Sequence, residues 1–414
     1  MLKPNSFQWR FALPVAMLIL FSNIAIAQIN LPVSGQVISA DGGLPLDGVT
    51  VSLENTGIGS VTNSDGKFTI VLHATVMPTD SITFTYIGYN TKKVSAAVAF
   101  ASNNLTVKLE ASVTNLAEVK VKPLSLQALL DSIINHNSRL LISPVELKGY
   151  YREMVYTNAK CTEYSDALCA YFYDRSAIPN GQFKIDASRC LMAKEEKSGG
   201  QNYQAMTDSF IPPNDAFKIT LIINLIRNRF AGKLLDGYGY RMAQADAQNN
   251  GDFKITISPK VPGPEEFYEL TLFLKNDFTL KSYRLTVPES FVSVIKEKNF
   301  LGIHAKVTAF DIIVNYASLH GGIYPNYYYI ALSMYMHGKF FGTTINQTIK
   351  DRSEFASTEV DDSGGVKPFE RKVVYKKGNI CKNGAAINDA LLKNYTIIKL
   401  SQKDSVAIQS FVDK

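Results

Sequence analysis

The chain of 414 residues lacks the motifs by which most enzymes are recognised. It has no Gly-x-Ser-x-Gly elbow, no glycine-rich phosphate loop and no His-Glu-x-x-His zinc motif. None of its five histidines is followed by Glu at the third position, which excludes the His-x-x-Glu pair of zinc-dependent carboxypeptidases. We therefore expect no catalytic residues and no cofactor. The alternative is a hydrolase whose catalytic residues are too dispersed along the chain to recognise.

Charge is also sparse. Only 19% of the residues are charged, and the net charge of +6 is spread without a basic block or a basic helix. This composition makes nucleic acid a poor partner, while a hydrophobic content of 46% is ordinary for a globular chain. Beyond the N-terminus no run reaches the roughly 18 apolar residues of a membrane-spanning helix. We therefore expect no second membrane span.

Cysteine is scarce, with Cys161, Cys169, Cys190 and Cys381 and no Cys-x-x-Cys pair. A thioredoxin-like centre and a zinc ribbon therefore have no support. In an oxidising compartment the four thiols could form two disulfides in any of three connectivities. Cys161 and Cys169 are spaced so that a tight hairpin could close them into a disulfide. The alternative is buried free thiols, because free Cys is among the most buried residue types.

Few side chains suggest metal or acid–base chemistry. His304, His320 and His337 fall in one β-rich region, but no carboxylate stands at ligand spacing, so we interpret them as structural. The carboxylate pairs 265–266 and 361–362 lie beside Gly- or Pro-rich turns, which favours solvated loops. We expect no metal site.

The first 27 residues have the pattern of a secretory signal peptide. Lys3 and Arg10 precede the apolar run 11–21, and the small residues of 25–27 predict cleavage before Gln28. The alternative is an N-terminal membrane anchor, for which the run is short of the ~20 residues needed. We expect an exported protein of the periplasm or the outer-membrane periphery.

Short alternating strands follow between Val33 and Leu109. Val49, Val51 and Leu53 point to one face, and a turn at 64–66 offers the glycine that a hairpin needs. The order of strands and glycine turns resembles the carboxypeptidase regulatory-like domain, a transthyretin-like module of Gram-negative envelope proteins. The resemblance implies a seven-stranded β-sandwich over 28–115 that serves as an accessory module and does not itself imply peptidase activity.

A linker and an amphipathic helix are predicted for 116–146, with Ser125 as N-cap and apolar residues at helical spacing from Leu126 to Ile134. The segment 147–153, Leu-Lys-Gly-Tyr-Tyr-Arg-Glu, is then predicted to form the first strand of a new sheet. This succession resembles the periplasmic front part of an uncharacterised outer-membrane-associated family. For 147–414 we predict an α+β domain whose curved antiparallel sheet wraps on helices, including one from Asn214 to Phe230. The strand rhythm is similar to a lipoprotein-carrier half-barrel.

The predicted sheet is rich in tyrosine. We interpret the tyrosines of 150–173 and 324–329 as core and interface packing, with a glycan- or lipid-facing concave surface as the alternative. The strand 327–336 is apolar on both faces and calls for cover on both sides. The fold class is thus mainly β with some α. We predict a non-catalytic envelope protein that binds or scaffolds another envelope protein, a glycan or a lipid; the alternative is a carrier of an apolar or amphipathic ligand.

Overall fold

The computed structural model describes residues 30–73, 76–111, 117–118, 125–175, 181–192, 211–221, 225–226, 230, 233–244, 251–340, 343–376, 380–392 and 395–412. The predicted signal peptide lies outside these residues. No helix among them is both long and apolar enough to cross a bilayer.

Seven strands form the N-terminal sandwich, which confirms the predicted fold. One sheet has the order β4-β1-β7 and the other the order β3-β2-β5-β6. A short helix, α1, joins β6 to β7. The bounds are β1 Asn30–Ser39, β2 Thr50–Leu53, β3 Gly59–Val61, β4 Lys67–His73, β5 Ser81–Thr85, β6 Lys92–Ser95, α1 Ala96–Ala101 and β7 Leu105–Leu109.

Alternation builds the sandwich core. Val49, Val51 and Leu53 are buried together with apolar side chains from the facing sheet, and the rings of Phe68 and Phe84 meet edge to face at 5.5 Å. Gly66 has a φ of +71°, which the predicted turn requires. These buried residues form a cluster separate from that of the large sheet, so this domain has a core of its own. Each buried aliphatic or aromatic side chain contributes about 1.5–3 kcal/mol to its stability.

One large sheet dominates the second domain. Its order is β20-β11-β10-β9-β19-β18-β17-β15-β14-β13-β12-β8, with β16 paired to β17. All strand pairs among the described residues are antiparallel except β11 with β20, so the sheet is mixed, and it is also curved. The bounds are β8 Ala117–Glu118, β9 Val145–Thr157, β10 Lys160–Tyr173, β11 Gln182–Met192, β12 Tyr238–Gln244, β13 Phe253–Pro259, β14 Glu269–Leu274, β15 Leu280–Thr286, β16 Lys298–Phe300, β17 Ile303–Leu319, β18 Gly322–Phe340, β19 Thr343–Asp361 and β20 Ala385–Ala386.

Helix α2, Leu126–Leu140, packs on the inner face of this sheet. Ser125 caps it, because its hydroxyl accepts from the Ala128 N–H at 3.2 Å, as predicted. Its apolar stripe is buried against the strands, and Asn137 ties it to the β14–β15 turn by donating to Phe278 O and accepting from the Leu280 N–H. The sheet therefore wraps on a helix as the sequence indicates.

The predicted helix from Asn214 to Phe230 is interrupted: Leu225 and Ile226 are helical as predicted, but the chain departs from helical geometry at Leu221. Helix α3 spans Pro213–Thr220 and ends there, since Leu221 has an extended backbone. The Thr220 hydroxyl donates to the Phe217 carbonyl oxygen at 2.6 Å, a side-chain bond that competes with the helix ladder. Further short helices among the described residues are α4 Lys233–Asp236, α5 Asp389–Leu392 and α6 Gln402–Val412, with 3-10 turns at Glu289–Val294 and Ile380–Lys382.

The cysteines pair differently from the hairpin closure considered above. Cys190 on β11 is bonded to Cys381, with the Cα atoms 5.7 Å apart, whereas Cys161 and Cys169 are buried free thiols. Both free thiols lie on β10, eight residues apart. An extended strand rises about 3.3 Å per residue, so their Cα atoms are far beyond the ~7 Å limit of a disulfide. The alternative of buried thiols is confirmed for these two residues.

The C-terminal segment, residues 395–412, joins the two domains on the outer face of the large sheet. Thr396 Oγ1 accepts from the Val71 N–H at 2.9 Å, and Asn63 Nδ2 donates to Lys399 O at 3.1 Å. From the sheet side, Arg152 donates to the same Lys399 carbonyl at 3.2 Å. The helical layer thus covers one face of the strand 327–336. On the other face, Tyr327 is covered by β3 of the sandwich and by the C-terminal segment.

Candidate functional site

An open cleft separates the sandwich from the outer face of the large sheet. On the sandwich side it is lined by the loop 85–89 and the turn 47–50, and on the sheet side by β13, β14, β15, β17 and β18. Most strand residues that line it are at outward positions, because inward positions such as Ile255 and Leu272 are in the core, whereas Phe253 and Tyr316 line the cleft and also pack against that core. The cleft has two connected lobes, which share Tyr86, Ile87 and Phe273 among their lining residues.

The apolar lobe has a volume of about 340 Å³. Aromatic and aliphatic side chains from both domains dominate its wall. Lys254 extends over the Phe273 ring, with its Nζ 5.9 Å from the ring centroid. Lys281 is held by Asp252 at 2.6 Å, so its charge is already compensated at the rim. The apolar lining residues are Tyr86, Ile87, Tyr89, Phe253, Phe273 and Tyr316.

The polar lobe is larger, about 610 Å³, and is lined by charges of both signs. Arg284 and Asp311 form a two-pronged ion pair at 2.8 and 3.0 Å on neighbouring strands. Asp47 keeps much of its surface accessible, yet its carboxyl is enclosed by the cleft wall. This partial burial, followed by repulsion from Glu354, raises the pKa of Asp47 to about 6.

Asn315 forms the floor where the two lobes meet. Its side-chain amide donates to Gly48 O and to Thr50 Oγ1, both at 3.2 Å, and so bridges the two domains. Its Oδ1 atom is buried and accepts no hydrogen bond from the part of the chain that the structure describes. A buried acceptor without a donor costs free energy of about 1–3 kcal/mol.

The inner face of the sheet is filled by its own side chains where it is described. Tyr328 and Ile330 are buried against the helical layer, and Tyr171 stacks on Phe217 of α3 at 4.1 Å. Tyr150, Tyr151, Tyr164, Tyr171 and Tyr173 of β9 and β10 are likewise buried, as packing requires, whereas Tyr156 is half-buried. The accessible cleft lies on the opposite face from the concave surface considered from sequence.

A polar layer lies beneath the C-terminal segment. Arg152 and Glu354 form a buried ion pair across β9 and β19, and Arg352 pairs with Asp404 of α6 at 2.9 Å. The sequence does not reveal this layer, because the four charges come together only through strand pairing and the return of the C-terminus. Arg152 is 3% exposed and Glu354 5%, which leaves them no access to a substrate. We assign the layer a structural role.

A second buried carboxylate, Asp166, belongs to the same face. It accepts from the Tyr150 and Tyr164 hydroxyls at 2.8 and 2.9 Å and pairs with Arg189 at 2.7 Å. Burial raises the pKa of Tyr150 well above its usual value. Each polar group in this cluster has a partner, so it supports packing and offers no acid or base to solvent.

The three histidines of the predicted β-rich region, His304, His320 and His337, lie at two separate sites. His320 pairs with Asp362 at 2.8 Å on an exposed turn. His304 and His337 stack with ring centroids 5.0 Å apart, and Glu297 reaches both. Sequence spacing missed this carboxylate because the β16–β17 hairpin, not a helix, brings it to the histidines. Glu265 and Glu266 lie in a loop between β13 and β14, as predicted.

Comparison with known proteins identifies the first domain. Residues 33–121 match the family model of the CarboxypepD_reg-like domain, so the resemblance seen in the sequence is confirmed there. No curated protein matches the chain.

Solved structures with a partly similar backbone share little sequence identity with this chain. Lipovitellin, in a structure described for its lipid–protein interactions, is 6% identical, with 57% of this chain and 27% of that chain covered and a TM-score of 0.26. A DUF1329 family protein from Desulfovibrio piger is 11% identical, with 61% and 99% covered and a TM-score of 0.25. A LolA superfamily protein from Nitrosomonas europaea is 10% identical, with 60% and 97% covered and a TM-score of 0.21. At TM-scores this low the likenesses carry no argument about fold or function.

Proposed function

We propose that the protein is a non-catalytic binding protein of the cell envelope whose cleft between the two domains holds an amphipathic ligand. The observation that carries this proposal is the junction of an aromatic lobe with a charged lobe in one continuous cleft. An apolar chain or ring would enter the first lobe, and its polar head would face Asp47, Arg284 and Asp311 in the second.

The dimensions of the cleft suit such a ligand. Small-molecule sites span about 300–1,000 Å³, are mostly apolar and use a few placed polar groups to set orientation. Burial in the apolar lobe contributes about 25 cal/mol per Å². Asp47, Arg284 and Asp311 of the polar lobe are the groups that would orient the polar head.

An envelope location is supported by three further features. The carboxypeptidase regulatory-like module is the type of domain that exported envelope proteins carry, and the N-terminal sequence pattern predicts export. The Cys190–Cys381 disulfide fits an oxidising compartment. These features are compatible with the periplasm and with the outer-membrane periphery.

A dye-displacement experiment tests the binding role. An apolar fluorescent dye is titrated into the folded protein, and an envelope lipid extract is then added as competitor. We expect saturable dye binding that the extract displaces. Phe273→Asp places a charge in the apolar lobe and should weaken dye binding at least about tenfold, a loss of about 1.4 kcal/mol.

Phe100→Asp is the matched control, because Phe100 lies on α1, is 36% exposed and does not line the cleft. It should bind dye like the wild type. Absence of saturable binding in the folded wild type, or equal binding by Phe273→Asp, would rule out the cleft as the ligand site and leave scaffolding as the role.

A further inference from the structure

Three potential metal ligands converge at the end of the long strands, away from the cleft. They are Glu297, His304 and His337, whose ligand atoms all lie within 4.8 Å of one another. Glu297 Oε1 is 3.4 Å from His337 Nε2, and Glu297 Oε2 is 3.8 Å from His304 Nδ1. A tetrahedral zinc ion with bonds of about 2.0–2.2 Å separates its ligand atoms by similar distances.

Strand register explains this convergence. His304 on β17 lies directly opposite His337 on β18, so both rings point to the same face of the sheet. On the other side of β17, Asn299 of β16 lies opposite His304. Glu297 immediately precedes β16, two residues before Asn299, and its carboxylate reaches both histidines. Two adjacent strands and the residue that leads into a third thus supply the three ligands.

Two glycines fix the backbone beside the site. Gly302, in the β16–β17 turn, has a φ of +85°, and Gly338 follows His337. A Cβ atom on Gly338 would lie 2.2 Å from Gly302 O, a distance that no side chain permits. The two strands can therefore approach this closely only with glycine at 338, and the spacing of the ligands is set by the backbone.

We propose that Glu297, His304 and His337 bind a divalent cation of the zinc class. Two imidazole nitrogens with one carboxylate oxygen is the ligand set that zinc uses where it keeps an open coordination position. The three side chains are 38–42% exposed, so an ion can enter from solvent without opening the fold. The open position faces solvent and would take water or a ligand from another molecule. This site is independent of the proposed cleft function.

The site is tested with tag-free, chelator-treated full-length protein. Isothermal titration with ZnCl₂ should show one saturable site per chain. His304→Ala, His337→Ala and Glu297→Gln should each weaken zinc binding at least about tenfold, as loss of even an outer-shell contact costs 10–100-fold. His320→Ala is the matched control, because it removes an exposed histidine elsewhere and should leave zinc binding unchanged.

Two further readouts keep the result unambiguous. The melting temperature without zinc should be the same for all variants, which shows that they fold. Co²⁺ in place of Zn²⁺ should give visible absorption bands in the wild type and in His320→Ala, but not in the three ligand variants. The proposal is overturned if folded wild type shows no saturable zinc binding, or if the ligand substitutions leave zinc binding unchanged.

Discussion

Asn315 on β17 donates its side-chain amide to Thr50 on β2 at 3.2 Å, and this bond joins the two domains at the floor of the cleft. The same amide donates to Gly48 O, while Asn315 Oδ1 faces no donor among the described residues. One side chain thus joins the two domains and lines both lobes of the cleft.

Asn315→Ala is expected to change the free energy of unfolding by less than about 1.5 kcal/mol, because the loss of two hydrogen bonds worth roughly 0.5–1.5 kcal/mol each is offset by removal of the unsatisfied Oδ1, whose burial costs about 1–3 kcal/mol. Urea denaturation measures this effect. A loss of more than about 3 kcal/mol would contradict the unsatisfied state of Oδ1.

The buried ion pair between Arg152 and Glu354 gives a second prediction. Arg152→Met leaves Glu354 buried without its partner and removes the bonds to the C-terminal segment. We expect a loss of about 3–5 kcal/mol in urea denaturation. Lys148→Met is the control, because Lys148 pairs with Glu359 on the same two strands at 2.9 Å but in solvent. Its loss should be about 0–1 kcal/mol.

Asp47 gives a prediction about pH. Its pKa is raised to about 6 in the folded protein, so the ionised carboxylate is disfavoured there and the fold is destabilised as pH rises from about 4 to above 6. Asp47→Asn should therefore be more stable than the wild type at pH 7.5 and should remove this part of the pH dependence. Melting temperatures between pH 4 and 8 test the sign. The exposed Asp41→Asn serves as control.

A fourth prediction concerns which cysteines are free and which are disulfide-bonded. Burial raises the pKa of Cys161 to about 11 and that of Cys169 well above its usual value, so both should resist alkylation in the native protein. Alkylation of the mature protein under denaturing, non-reducing conditions should label two thiols, and peptide mapping should recover a Cys190–Cys381 cross-link. A cross-link between Cys161 and Cys169 would contradict the structure.

Removing the Cys190–Cys381 disulfide should lower the free energy of unfolding. Cys190→Ser with Cys381→Ser releases the C-terminal part from β11. We expect a loss of about 2–5 kcal/mol relative to the oxidised wild type. Reducing agent should destabilise the wild type and leave the double variant unchanged.

Local patterns predicted the parts of the fold that local chemistry determines. Val49, Val51 and Leu53 alternate, and Ser125 precedes an apolar stripe, so the sandwich strand and the capped helix follow from neighbouring residues. The interruption of the predicted helix after Thr220 was missed, because helical spacing of apolar residues does not show where a side chain competes for the backbone.

The sites depend on residues distant in sequence, and this explains what was missed. Cys190 and Cys381 are 191 positions apart, so no spacing rule pairs them. The cleft arises from how the sandwich lies on the sheet, which is set by contacts such as Asn315 with Thr50 and Thr396 with Val71. Periodicity along one strand reveals its two faces but not what covers them.

The most direct measurement is photo-crosslinking of a ligand analogue, followed by peptide mapping. A diazirine-labelled lysophospholipid, with one acyl chain and a zwitterionic head, is bound to the full-length protein and irradiated. We predict adducts on the loop 85–89 and on Phe253 and Phe273, which an unlabelled competitor suppresses and Phe273→Asp abolishes. Adducts spread over the surface, or concentrated elsewhere and unaffected by Phe273→Asp, would contradict ligand binding in the cleft between the two domains.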